Sequence, residues 1–422
     1  MDLRAMNSGV SGLLAEQQAL GVVGDNIANV NTVGYKSERA IFEDVLGHSI
    51  LAGTSSGLPG AGVAVGAIKQ NYTQGSLNTT GVSTDVALSG DGFFVANGSV
   101  DGITGNFYTR AGQFTLNKDG YLVNPDGLKI QGYSANGDGT YSASLSSIQA
   151  PTSSIQPRAT TGATVTANLD ANATPPANAW GDATTTFASQ ANFSTTQTVY
   201  DTLGNSHTMD LYFRNTGTGT WDWHAVMDGA DTNSTGSLTF GTNGALTGST
   251  GTTVAFAPTG ADPMTIALNF GTPVAAGEAS VAGSMTSFAS SSNVSSQSQD
   301  GYASGDFSGI SIDGQGVVTG LYTNGQKLAI SQMGVAKFRS NDGLGRAGES
   351  LWIDTRESGP AAMGTAASGG RGSVSSGSVE SSNVDLATEF VSLIQHQRSF
   401  SANSKTITTA DEMLQELINI KR

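Results

Sequence analysis

Residues 386–418 read LATEFVSLIQHQRSFSANSKTITTADEMLQELI. In steps of three and four they give Leu386, Phe390, Leu393, Gln397, Phe400, Ser404, Ile407, Asp411, Leu414 and Ile418, seven of ten apolar. That spacing is a heptad seam along one face of a long helix. Ser382, Asn383 and Asp385 just before it are the residue types that start helices. From there the helix would run roughly 55 Å at about 1.5 Å per residue. The opposite end follows the same steps. Leu3, Met6, Val10, Leu13, Gln17, Leu20, Gly24 and Ile27 include six apolar residues of eight. Neither segment has globular sequence beside it to cover its stripe. The economical solution packs the first and last segments on each other, so that the chain runs outward and returns. The alternative docks both helices on one globular core. Three polar seam residues, Gln397, Ser404 and Asp411, would set register in an assembly and weaken the lone pair, leaving frayed ends in an isolated monomer.

From Ser83 onward the helical period disappears. Gly92–Ala96 and Phe107–Leu116 are rich in Phe, Val, Tyr and Thr. Asn117-Lys118-Asp119-Gly120 and Asn124-Pro125-Asp126-Gly127 follow as turn signals, and Asp313-Gly314-Gln315-Gly316 and Asn324-Gly325 repeat the pattern later. These predict hairpins in which Gly supplies positive φ. The expected fold is α+β and multidomain: N- and C-terminal helices forming a coiled coil, plus two nested, mainly-β domains. Residues 1–30 with 380–422 form the helical core. Residues 83–150 with 285–357 form an inner β domain, and 151–284 an inserted outer one. Residues 31–82 and 358–379 connect them. Within these connections Gly53–Gly66 and Ser358–Gly377 are Gly- and Ser-rich, and such segments flex unless neighbours pin them.

The 422 residues suffice for about three domains at ~100–200 residues each. A net charge of −15 repels nucleic acid and anionic membranes. The stretch 151–284 holds two basic and nine acidic residues, −7 of that total. The absence of cysteine removes disulfides, thiolate catalysis and Cys-type zinc sites. Met1 to Ile27 lacks the basic start, apolar run and cleavage site of a secretory leader. No stretch reaches the ~20 apolar residues of a membrane helix, so no membrane insertion is expected.

A search for chemistry finds no catalytic, cofactor-binding or metal-binding motif. His48, His207, His224 and His396 are scattered, with no H-E-x-x-H, nucleophile elbow or phosphate loop. Asn136, Asp138 and Thr140 begin like a calcium loop, but Tyr141 and Ser147 stand where Gly and Glu are required. Trp221 and Trp223 share one strand face. They could bind sugar rings, although such a pair more often packs in a core or interface.

Three segments carry a family resemblance. Asn26-Ile27-Ala28-Asn29-Val30-Asn31-Thr32-Val33-Gly34-Tyr35-Lys36 resembles the signature after the first helix of flagellar rod, hook and hook-associated axial proteins. As a helix exit it makes sense: Asn29 and Asn31 tolerate left-handed backbone, Thr32 can bond the local main chain, and Gly34 permits the turn. Asp85–Val95 with Tyr108–Phe114 resembles that family's first β domain, and Ser382–Leu386 through Leu414 its C-terminal helix. Length favours the hook branch over the much shorter distal rod protein, the alternative within the family. A secreted β-rich adhesin is the alternative from a different class; a glycosidase using two Asp ranks last.

The resemblance implies a non-enzymatic, polymerising structural subunit without cofactors. Subunits would leave through the flagellar type III export apparatus and add to one another beneath a hook cap protein. They would sit on the distal rod protein and below the hook-filament junction protein. The location implied is the flagellar hook/basal body, outside the cell after export. The implied product is a curved universal joint that passes torque to the filament.

Overall fold

The computed structural model describes residues 4–46 and 60–420. Among them the chain is mostly β and multidomain, with two α-helices, α1 (Arg4–Ala28) and α2 (Leu386–Ile420). Neither is long and apolar enough to cross a membrane. Helix α1 ends where the Asn29 side chain donates to the Asp25 carbonyl at 2.9 Å. Helix α2 starts at Asp385, whose carboxylate accepts the Ala387 N–H at 2.9 Å and the Thr388 hydroxyl at 3.0 Å, a side-chain N-cap. Tertiary contacts divide the chain into two units. One comprises residues 1–152, 309–320 and 327–422, the other 153–308 and 321–326.

In the first unit α1 and α2 pack antiparallel. Asn26 meets Glu389, Glu16 meets His396, and Gly12 and Gly9 lie against Asn403 and Ile407. The buried stripe of α1 is Gly9, Gly12, Ala15, Ala19, Val22, Val23 and Asn26. Small residues there allow close approach: a Cβ on Gly12 would fall 2.6 Å from the Asn403 amide. A hairpin of Glu38–Leu46 and Gly60–Gln70 lies along α1, with the Val63 N–H donating to the Ser11 hydroxyl at 3.2 Å. The β portion is organised around Lys327–Lys337, which pairs with Lys129–Ala135, Phe93–Val100 and Ala362–Thr365. Phe93, Val95, Tyr108, Phe338 and Trp352 form an aromatic-rich core on it.

The second unit has two sheets. Five antiparallel strands run in sequence order from Phe193–Tyr200 to Leu246–Ser249. Four more are ordered Thr253–Phe256, Met264–Asn269, Gly162–Asn168 and Asn293–Gln299. Their apolar faces share one core containing Val165, Phe213, Trp221, Trp223, Ile266 and Phe270. Alternation is clean along Ser206–Gly217, where Met209, Leu211 and Phe213 point inward. Fully burying a side chain such as Phe213 or Ile266 stabilises by ~1.5–3 kcal/mol. Trp221 and Trp223 are therefore core, not a sugar platform.

Three expectations need correction. Residues 31–82 are no loose connection, because the hairpin occupies much of them; residues 53–59 of the Gly-rich stretch lie outside the described residues. Stretch 358–377 is pinned as well: Ala362–Thr365 pairs with Lys327–Lys337, and Ser373–Ser376 with Val86–Ser89. The return boundary falls at 308, not 285. Met285 is buried in the second core, and Asn293–Gln299 adds a strand to Gly162–Asn168. Its sequence, NVSSQSQ, has one apolar residue in seven and so little strand pattern.

Candidate assembly site

The segment that leaves α1 is held by buried polar side chains. Asn26, fully buried, uses both ends of its amide. Its Nδ2 donates to the Glu38 carbonyl at 2.7 Å and to Glu389 Oε1 at 3.1 Å. Its Oδ1 accepts the Glu38 N–H at 2.8 Å and the Tyr35 hydroxyl at 3.3 Å. One side chain thus ties α1, α2 and the hairpin's first strand. Gly34 turns the chain with φ +71°, and a Cβ there would lie 2.5 Å from the Ala111 backbone nitrogen. Asn29 and Asn31 do not adopt left-handed backbone. Asn29 instead closes the helix end and accepts the Thr32 hydroxyl at 3.0 Å.

Lys36 then enters the interior, where it is almost wholly buried. Its Nζ donates to Glu380 Oε1 at 2.6 Å and to the Thr73 carbonyl at 2.8 Å. The second Glu380 oxygen meets Arg110 Nη1 at 3.3 Å, and Oε1 also accepts the Gly75 N–H at 2.9 Å. The Glu380 carbonyl accepts the Gly34 N–H at 2.7 Å. Asn383 adds a last tie, accepting from Ser37 N at 2.7 Å and donating to the Asn71 carbonyl at 2.7 Å. A buried carboxylate is tolerated when its oxygens are this fully hydrogen-bonded. Burial lowers the pKa of Lys36 and of Arg110, and the shared Glu380 charge opposes the shift in both. Burial, with Glu38 next, pushes Tyr35 up to about 12. Burial also raises Glu389, against its hydrogen bond from Asn26.

Of the expected seam, Met6, Leu13, Leu20 and Ile27 on α1 are half-buried and Val10 is exposed. On α2, Leu393, Ile407 and Leu414 are half-buried, whereas Leu386, Phe390 and Phe400 are exposed. Leu3 and the side chain of Ile418 lie outside the described residues. The face that α2 turns to α1 is mixed, including Glu389, His396, Asn403 and Ile407. Large apolar side chains are left uncovered on both helices, with Leu14 59%, Phe390 50% and Val391 56% exposed.

Of the signature residues, Asn26, Gly34, Tyr35 and Lys36 are buried, Asn29 and Thr32 half-buried, and Ala28 and Asn31 exposed. Arg110, Glu380 and Asn383 complete the same anchor without having been read as site residues. The available signal was a lone Glu380 between the nearly uncharged stretches 372–379 and 381–384. Beside the anchor is a cleft of about 370 Å³ with a mixed lining, including Asn29, Thr32, Val33, Asp126, Arg346 and Trp352. Among the described residues no cluster of three or more His, Asp or Glu is arranged to hold a metal ion.

Family models match four stretches. "Flagella basal body rod protein" covers 6–36, and "Flagellar hook protein FlgE/F/G D1 domain" covers 87–168. "Flagellar basal body protein FlaE D2 domain" covers 168–302, and "Flagellar basal body rod FlgEFG protein C-terminal" covers 375–420. Flagellar hook protein FlgE of Escherichia coli (strain K12) is 36% identical over 429 residues, 99% of this chain and all of that protein. The chain belongs to the flagellar hook protein FlgE family. The FlgE of Borreliella burgdorferi is 33% identical over 452 residues, again with 99% of this chain and all of the relative covered. The crystal structure of Helicobacter pylori flagellar hook protein FlgE2 shares the fold. Its TM-score is 0.51 at 16% identity, covering 70% of this chain and 98% of that one. As a FlgE family member the chain is a structural subunit of the flagellar hook. Family membership also implies self-polymerisation at the hook and basal body.

Proposed function

We propose that this hook subunit polymerises into a flexible, curved tube through the uncovered faces of α1 and α2, forming a universal joint that carries torque to the filament. The observation that carries the reading is that Leu14, Phe390, Val391 and Phe400 all stay exposed on an otherwise tightly anchored helix pair. Val391 and Phe400 lie on opposite sides of α2, so more than one neighbouring copy is needed to cover these side chains. Covering them with neighbouring copies stabilises the tube by ~25 cal/mol per Å² of apolar surface removed from water. The helices form a coiled-coil inner core, with Met6, Val10, Leu13, Leu393 and Phe400 at the seam and Gln397, Ser404 and Asp411 setting register. Residues 153–308 form an outer domain inserted into an inner β domain, and its polar surface lets outer contacts slide. The distal rod protein lies below the tube, the hook cap and junction proteins above it, and the type III export apparatus delivers subunits. The chain has no enzymatic role.

Immunogold electron microscopy of intact flagella, with antibody against 153–308, tests the placement. Label is expected along the curved segment between rod and filament. Label on the straight rod, or away from the flagellum, contradicts it.

A further inference from the structure

His207 lies between two carboxylates at one end of the five-stranded sheet. Its Nδ1 is 2.6 Å from Asp228 Oδ2 and its Nε2 is 3.3 Å from Asp201 Oδ2. The two acids belong to different hairpin turns. Asp201 opens the turn from Phe193–Tyr200 to Ser206–Gly217, and Asp228 the turn from Thr220–Met227 to Ala230–Phe240. Both are built into their turns. Asp201 accepts the N–H groups of Leu203 and Asn205 at 2.9 and 2.8 Å, and the Asn205 side-chain amide at 2.9 Å. Asp228, at φ +48°, accepts the Thr208 N–H at 2.8 Å. Leu203, 63% exposed, stands on the first turn.

A neutral imidazole has one N–H donor, and an ionised carboxylate has none. Two carboxylates on the two ring nitrogens are both satisfied only by the imidazolium. We propose that His207 is a protonation-dependent clamp that holds the two hairpin turns together as an imidazolium and releases the Asp201 turn, with Leu203, when it becomes neutral. The released side is Asp201 because the Nδ1 contact to Asp228 is much the shorter. The charged groups facing the ring are Asp228 and Asp201. The Phe256 ring, from Thr253–Phe256, stands edge-on at 4.9 Å, and Val199 is its register partner on the neighbouring strand; neither carries charge.

The signs agree. Burial works against the charged ring, but the bonds to Asp228 and Asp201 outweigh it and raise the His207 pKa above 6.5. Burial also opposes ionised Asp201, but hydrogen bonds from Asn205, His207 and Leu203 bring it down to about 2. Asp228 is likewise lowered, against burial, by its bonds from Thr208 and His207. The His207 contribution is complete below pH 6.5 and is lost as pH rises through its folded value. The two Asp contributions are complete above 3.8 and are lost as pH falls. The clamp is therefore closed from mildly acidic pH up to the raised histidine value.

The test follows the imidazole nitrogens and the amides of Leu203 and Asn205 by NMR in the full chain. Expected are two protonated ring nitrogens at pH 6 and a midpoint above 6.5. Protection of the two amides, corrected for intrinsic exchange, should fall as pH passes that midpoint, by at most about tenfold for each unit by which the midpoint exceeds 6.5, because the opened turn keeps the Asp228 contact. In His207→Gln, whose amide supplies donors at one end only, that pH dependence should vanish. A single-nitrogen tautomer at pH 6, a midpoint at or below 6.5, or protection unchanged across the titration overturns the clamp. The wild-type titration decides the matter even if the variant folds poorly.

Discussion

Lys36 Nζ sits 2.6 Å from Glu380 Oε1, although 344 positions of chain separate the two residues. The contact joins the segment leaving α1 to the segment entering α2, with both side chains out of water. Arg110 completes it from the β portion. The helix pair thus departs from the β structure through a buried ionic anchor.

Glu380→Gln leaves Lys36 and Arg110 buried without their shared counter-charge. Breaking a buried pair in this way costs ~3–5 kcal/mol. Chemical denaturation followed by a probe in the first unit should show that loss. Removing the exposed Lys337–Asp91 pair, at 3.1 Å, should cost under ~1 kcal/mol.

Gly34→Ala meets two penalties, a left-handed backbone at φ +71° and a Cβ driven into the Ala111 main chain. Gly127, at φ +83°, has open space around its absent Cβ. Gly127→Ala should therefore cost ~1–2 kcal/mol from backbone strain alone, and Gly34→Ala distinctly more. Thermal melts of the two variants make the comparison. Equal losses would mean that the close approach to Ala111 does not matter.

His224 behaves oppositely to His207. Trp180 stacks on its ring at 4.0 Å and also donates to Asp231 at 2.9 Å, pinning the segment before Phe193. Burial lowers the His224 pKa below 6.5, so the fold favours the neutral ring. That contribution is present above pH 6.5 and is lost as pH falls through the lower folded value. Acidification should loosen this contact, seen as a change in Trp180 fluorescence, isolated by difference against Trp180→Phe. His224→Phe should abolish the pH dependence.

Both helices were legible because 25 and 35 residues of helical period are a long signal. The turns were legible because Asn-Gly and Asp-Gly pairs favour positive φ, as Gly120, Gly127 and Gly325 show, although in Asp313-Gly314-Gln315-Gly316 the positive φ falls on Gly316. The stripe that α1 buries was not. Gly9, Gly12, Ala15 and Ala19 are chosen for close approach, and a search for large apolar residues selects the neighbouring stripe instead. The Gly- and Ser-rich stretch 358–377 misled for a related reason: the partner of Ser373–Ser376, Val86–Ser89, is hundreds of residues away. The signature marked the anchor's position through Asn26, Gly34 and Lys36. Its chemistry stayed hidden, because the pairing with Glu380 exists only in three dimensions.

On the proposed reading, the uncovered apolar side chains of α1 and α2 drive assembly. Phe390→Asp probes this, because Phe390 is 50% exposed and its replacement should leave the lone subunit folded at a cost on the order of 1–2 kcal/mol. Sedimentation and electron microscopy of the purified variant, under conditions where wild type forms tubes, give the answer. The variant is expected to fold and stay monomeric. Normal tubes from Phe390→Asp would contradict it.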